Sequence, residues 1–316
     1  SSVSDQILAE KISMDEIDML IDLSNHTDGN RLSVFARKPA PLQVTALGLP
    51  YTTALKTIDY YFASPYKLRN ENHFSECLLE MPSTTAYNPL VDPPDVNGLP
   101  ALKNGFITFG SCNKVSRISR SCISLWAKIF REVPNSRFVF AGQTGEFFQN
   151  KFEQWLIEEN VDLSRIDFLS RKKTGDYLKI YNQIDVHLML NPLAGSTTIA
   201  DALFMGVPSL GLYNSKDEVA GEQLLSPLGL EDFFLKNEQD LIFKGLSLAQ
   251  ELETLTDMRK NLRKQFTGLL FCNPDIAAAG WETALRTIWK RWCSGLDPEA
   301  KQLTMKDLKY SLFELS

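Results

Sequence analysis

The stretch LNPLAGSTTIADALFMGVP (190–208) closes an apolar run at Asn191-Pro192, turns through Gly195, Ser196, Thr197 and Thr198, and continues with helical periodicity. Free backbone N–H groups in the first turn of a helix, with hydroxyls beside them, suit an anion and a diphosphate in particular. The alternative is that Ser196 or Thr197 only caps the helix. A second stretch, GSCNKVSRIS (110–119), also lies between a β-rich run and a helical one, and it carries Lys114 or Arg117 toward the same end. Arginine forks onto phosphate oxygens, whereas lysine acts as a compact point charge. Solvated loop charges are the plainer reading of both. Asp201, one turn into its helix, suits a ribose hydroxyl or is an ordinary early-helix acid.

Upstream, DLSNHTDGNRLSVFARKPAPLQVTALGLPYTTALKTIDYY (22–61) sets polar residues between apolar runs. His26, Thr27, Arg31, Thr52, Thr53 and Asp59 are candidates to face such a site from the opposite side. His26 is then a catalytic residue or a hydrogen-bonded structural one. Asp59, between Ile58 and Tyr60, alternates like a strand residue, and its plainer role is that of a satisfied structural carboxylate.

The elements that must position these groups follow from periodicity. From Gly105 onward, β-rich runs at 106–110, 137–142, 166–169, 184–190 and 207–212 alternate with amphipathic stretches, the rhythm of a parallel βαβ sheet. Ile118, Cys122, Leu125, Trp126, Ile129, Phe130 and Val133 recur at helical spacing, with Pro134 as the exit. Residues 105–272 therefore read as a doubly wound domain that binds ligands at the carboxyl ends of its strands. Residues 1–82, with strands expected at 17–23, 42–48 and 59–63, resemble part of a second α/β lobe. A partner chain or an upstream segment would complete that lobe. Pro82, Pro89, Pro93, Pro94 and Pro100 make 83–104 an extended, non-helical linker. Beyond Asn237 the pattern is helical to the end, with C-terminal helices over 273–316. Trp281, Leu285, Ile288 and Trp292 form a stripe there that calls for a packing surface.

Composition bounds the function. The chain has 316 residues, 44% of them apolar, and 33 Lys+Arg against 39 Asp+Glu give a formal net charge of −6. Such a balance argues against a dedicated nucleic-acid or anionic-membrane binder. No run reaches the length of a membrane span, and five scattered cysteines without C-x-x-C pairs suggest neither a metal site nor a disulfide framework. These features read as a cytoplasmic protein.

Together DLSNHTDGNRLSVFARKPAPLQVTALGLPYTT, FGSCNKVSRIS, NPLAGSTTIADALFMGVP and IWKRWCSG, in order through most of 17–295, resemble the catalytic region of the O-GlcNAc-transferase-like glycosyltransferases of family 41. FSECLLEMPS (74–83) and Asn191-Pro192 are similar to the family's bacterial cytoplasmic protein-glycosylating branch. The resemblance implies a GT-B architecture of two Rossmann-like lobes, an inverting and metal-independent reaction, a nucleotide-sugar donor (a UDP-sugar), a protein acceptor, and no further cofactor. It places Ser196, Thr197 and Thr198 at the family's His-Thr-Thr phosphate and sugar motif, with Pro192 and Gly195 leading into it. It also places Arg117 at the Lys that neutralises the leaving diphosphate, Asn113 and Lys114 beside it, and Asp201 at the ribose-binding acid. Tyr177 falls at a base-contacting His, Asp59 at an Asp on the sugar side, and Asp18 where some members have His. The expected function is therefore transfer of a sugar to a protein side chain. A noncatalytic nucleotide-sugar-binding or scaffold protein of the same fold is the alternative.

Overall fold

The computed structural model describes residues 3–64, 73–89, 92–143, 146–170, 172, 174–191, 194–213 and 220–308. The chain divides into two units: Ser1–Tyr87 together with Leu270–Ser316, and Asn88–Leu269.

The first unit opens with α1 (Asp5–Met14), then β1 (Met19–Asp22), α2 (Leu32–Phe35), β2 (Leu42–Ala46), β3 (Tyr60–Ala63) and β4 (Cys77–Glu80). The second unit follows with α3 (Pro100–Asn104), β5 (Ile107–Ser111), α4 (Arg120–Glu132), β6 (Ser136–Gln143), α5 (Glu146–Glu158), β7 (Ile166–Ser170), α6 (Thr174–Tyr177), β8 (Val186–Leu188), α7 (Ser196–Phe204), β9 (Ser209–Leu212), α8 (Ala220–Leu225), β10 (Phe234–Leu235), α9 (Glu238–Gln250) and α10 (Leu252–Thr267). The chain then returns to the first unit with α11 (Pro274–Cys293) and β11 (Lys301–Gln302).

Both sheets are parallel: β1-β2-β3-β4-β11 in the first unit and β10-β9-β8-β5-β6-β7 in the second. β2 is buried at every position of LQVTA, as a strand covered on both faces is, and its two polar side chains are paired there: Gln43 Nε2 donates to Phe35 O at 2.8 Å and Thr45 Oγ1 to Asp22 Oδ2 at 2.7 Å. In the first unit Leu42, Val44, Tyr60, Phe62, Leu79 and Met81 meet Ala284 and Ile288 of α11. Trp281 joins them edge-on to Phe62, with centroids 5.2 Å apart, and donates its indole N–H to Thr84 O at 2.9 Å. In the second unit Ser119 caps α4 by accepting from Cys122 N, and the helix lays Trp126 and Phe130 against Phe138.

Several expectations need correction. The proline-bearing stretch 83–104 does contain a helix, α3, because Pro100 stands at its first position, where a missing N–H is harmless. The tail is not helical throughout: Lys301–Gln302 pair with Leu79 and Glu80 as β11. β4 and β10 add strands that periodicity did not single out, and β10, with two residues, is too short to show any. Of the tryptophan stripe, Trp292 stays out of the core at 44% exposure and stacks on Trp289 instead. Among the described residues no helix is long and apolar enough to cross a membrane.

Gly48, two residues past the end of β2, has φ +60, and a Cβ there would sit 2.5 Å from Ser24 O in the loop after β1. Gly105 also has a positive φ, +74, but open space around it. Gly48→Ala is therefore expected to destabilise the protein by roughly 2–3 kcal/mol, and Gly105→Ala by about 1, as read from urea-denaturation midpoints. Equal effects would show that the Ser24 contact is irrelevant.

Candidate functional site

In the second sheet the chain enters at the centre. It runs outward through β5, β6 and β7, then crosses to β8 and runs outward the other way through β9 and β10. The reversal lies between β5 and β8, which pair Phe109 with Val186 and Gly110 with His187. Ligands of open α/β sheets bind at this switch point, outside the carboxyl ends of the strands. β5 leads into the turn that carries Asn113, Lys114 and Arg117, and Gly195 stands between β8 and α7.

The loops converge on Gly195. A Cβ there would lie 2.9 Å from Asn113 Oδ1, 3.2 Å from Arg117 Nη1 and 3.3 Å from Thr198 Oγ1. Gly195 is also the N-cap of α7 and has no side chain with which to cap the helix. This overturns capping as the role of Ser196 or Thr197, which occupy the helix's first turn as exposed residues. That turn carries no acidic residue, so its positive end is not offset locally. Arg117 closes a 3-10 turn begun at Val115, its N–H donating to Lys114 O, and both cationic side chains are exposed.

Behind this surface lies a buried polar chain that sequence reasoning missed. His187 in β8 is fully buried; its Nδ1 is 2.9 Å from Ser209 Oγ and its Nε2 3.5 Å from Asn113 Nδ2. Asn113 Nδ2 also donates to Ser111 Oγ at 3.0 Å. Burial drives the imidazole pKa down to about 3, so His187 is neutral at physiological pH. The signal was present in VHLML (186–190), where one imidazole interrupts an otherwise apolar run. Cys112, beside these groups, has its thiol pushed by burial up to about 12, which removes it as a nucleophile.

Tyr177 and Asp201 come together: the Tyr177 hydroxyl bonds Asp201 and lies 3.0 Å from the Tyr181 hydroxyl, which donates to Thr198 O at 3.2 Å. Burial, Cys112 and Asp201 all raise the Tyr177 pKa. Asn113, Lys114, Arg117, Tyr177, Gly195, Ser196, Thr197, Thr198 and Asp201 thus belong to one end of one sheet or to the helices beside it. Pro192 lies outside the described residues.

In the first unit His26 follows β1, and its Nε2–H donates to Thr52 O at 3.0 Å. Thr52 and Thr53 are tied to Glu76, whose Oε1 accepts Thr53 N at 2.8 Å and whose Oε2 accepts Thr52 Oγ1 at 2.7 Å. Arg31 pairs with Asp5 at 2.6 Å. Asp59 requires a correction. It precedes β3, at the amino edge of the sheet, where it pairs with Lys38 and accepts Gln43 N at 2.7 Å. A carboxylate used this way locks β2 to β3; it does not stand with His26 at the carboxyl ends.

Two units, each with a parallel sheet flanked by helices, define the GT-B class of glycosyltransferase folds. A trehalose-phosphate synthase from Burkholderia vietnamiensis shares the fold, with a TM-score of 0.58 at 12% identity over 90% of this chain and 75% of that one. The chain belongs to glycosyl transferase family 41, matching it over residues 3–87 and 96–273. It is similar to a structure of a Thermobaculum terrenum O-GlcNAc transferase mutant, with a TM-score of 0.78 and 32% identity over 93% of this chain and 57% of that one. It is 33% identical over 312 residues, 96% of this chain and 34% of the other, to the Arabidopsis thaliana protein named "Probable UDP-N-acetylglucosamine--peptide N-acetylglucosaminyltransferase SPINDLY". The chain spans about a third of the length of the curated relatives it matches.

Proposed function

We propose that this chain binds UDP-GlcNAc through its second unit and transfers the sugar to a protein side chain, with inversion and without a metal or further cofactor. The relatives' names support the donor and the acceptor class. The meeting of Asn113 Oδ1, Arg117 and Thr198 Oγ1 at Gly195, at the glycine-led start of α7, carries the reading. In a single displacement the acceptor attacks the anomeric carbon as the bond to the diphosphate breaks, so negative charge grows on the departing phosphate oxygens. Arg117, Lys114 and the N–H groups of Ser196 to Thr198 supply the positive field that this charge requires. The same groups supply the charge that a divalent ion provides in metal-dependent transferases.

The test is a thermal and calorimetric panel of UDP, GDP and UDP-GlcNAc, followed by a transfer assay. A ligand at 100 times its Kd is expected to stabilise the folded protein by about 2.7 kcal/mol. Gly195→Ala presses a methyl group among the three converging side-chain atoms, of which the Arg117 guanidinium ends a long, exposed side chain, and is expected to weaken UDP binding while leaving the protein folded. UDP binding unaltered in Gly195→Ala would place the nucleotide elsewhere. Binding without turnover on any protein acceptor would mark a donor-binding protein that does not catalyse transfer.

A further inference from the structure

Asn113 is 2% exposed, yet its Oδ1 has no hydrogen-bond partner. Buried carbonyl oxygens are normally paired, so one left open beside a binding loop calls for an explanation. Its amide nitrogen is fully engaged behind it, donating to Ser111 Oγ and facing His187 Nε2. A neutral imidazole has one donor and one acceptor nitrogen. With Nε2 accepting from Asn113, Nδ1–H donates to Ser209 Oγ, and the whole relay runs in one sense from Asn113 to Ser209. That sense leaves Oδ1 turned toward Gly195, where the missing side chain is what lets it stand 2.9 Å from the Cβ position together with Arg117 and Thr198.

The polarity of this atom matters. Phosphate oxygens are acceptors, and Arg117 and the start of α7 already serve them. A carbonyl oxygen offers a phosphate nothing and offers a hydroxyl a partner. We propose that Asn113 Oδ1 accepts a hydrogen bond from a hydroxyl of the sugar-nucleotide donor, and that His187 is the positioning residue holding the amide in that orientation. The proposal rests on the nucleotide-sugar reading above and adds to it the group that reads the donor's hydroxyl. In the opposite sense of the relay, Nδ2 would face the ligand and serve a phosphate oxygen, so the two senses differ in which ligand they favour.

Calorimetric titration with UDP-GlcNAc, UDP and inorganic pyrophosphate separates them. Asn113→Leu keeps the side chain's shape and removes the amide. It is expected to lower UDP-GlcNAc affinity roughly tenfold, with pyrophosphate affinity held within about twofold. His187→Phe keeps a ring and loses both nitrogens, and should reproduce the same selective loss in smaller measure. His187→Gln should restore it, since its amide can accept from Asn113 and donate to Ser209. A loss shared by UDP assigns the hydroxyl to the ribose, and a loss confined to UDP-GlcNAc assigns it to the transferred sugar; either supports the proposal. Unchanged binding of all three probes, an equal fall for all three, or a fall greatest for pyrophosphate overturns it. If Asn113→Leu does not fold, the His187→Phe and His187→Gln pair carries the same comparison. Should the unsubstituted protein bind pyrophosphate but neither UDP nor UDP-GlcNAc, the nucleotide-sugar reading itself fails and the proposal falls with it.

Discussion

Arg117→Ala is expected to lower kcat by on the order of 100-fold or more while changing KM far less. The guanidinium reaches the crowded point beside Gly195, with Nη1 3.2 Å from the Cβ position, where the start of α7 also points. A charge fixed there stabilises the diphosphate most when its bond to the sugar is breaking, so the loss falls on turnover rather than on ground-state binding. Arg117→Lys should keep part of the rate, because the charge survives and the fork does not. Arg117 is an exposed residue, so both variants should match the parent protein in circular dichroism. Steady-state kinetics with UDP-GlcNAc and a protein acceptor is the measurement. Undiminished turnover in a folded Arg117→Ala protein would move the leaving-group role to Lys114 or to the N–H groups at Ser196 to Thr198.

The second large effect is on stability in acid, and two buried groups oppose each other in it. His187 titrates at about 3 when folded against an ordinary 6.5, so unfolded chains bind its proton first. Its contribution is whole above pH 6.5 and is lost as pH falls toward 3, a difference of roughly 4–5 kcal/mol. Asp185 behaves oppositely. Burial raises its carboxyl to about 6 from 3.8, against the pull of the Thr108 and Ala101 N–H groups and of Arg259. The folded state therefore takes up that proton first, and stability from this group grows as pH falls from 6 to 3.8, by roughly 3 kcal/mol. Between pH 6 and 4 the two largely cancel. His187→Gln should make the protein comparatively more stable as the solution is acidified through that window, and Asp185→Asn comparatively less. Denaturant melts at half-unit pH intervals measure both slopes; parallel curves for the two variants would remove these residues from the acid response.

The parts of the site legible in the sequence were those built from local chemistry. A glycine-led turn at 195–198 entering a helix, and a basic loop at 113–117 after a strand, announce anion binding through residue type and position alone. Their convergence was less direct, because it depends on the reversal between β5 and β8, a property of strand order that no local window contains. Asp59 shows the reverse difficulty: its neighbours mark a strand, but which end of the strand it occupies, and that Lys38 is waiting there, depend on pairing across 21 positions. His187 was visible as an interruption yet silent about its partners, Ser209 and Asn113, which tertiary folding supplies. In the tail, periodicity found α11 but not β11, since two residues carry no period and the edge they extend is set by β4.

The first unit is assembled from both ends of the chain, with the second unit inserted between residues 87 and 270. A ribosome delivers these pieces in order. Tyr60, Phe62, Leu79 and Met81 emerge long before Ala284 and Ile288, which cover them in the finished protein. During that interval the nascent first unit exposes an apolar sheet face and an unpaired β4 edge, while the second unit has all its own strands and helices in hand and can fold first. Synthesis therefore passes through a stage at which one half is complete and the other holds a bare hydrophobic surface. A pause or premature stop between positions 270 and 300 would leave that surface open, exposing the nascent chain there to aggregation and to chaperone capture.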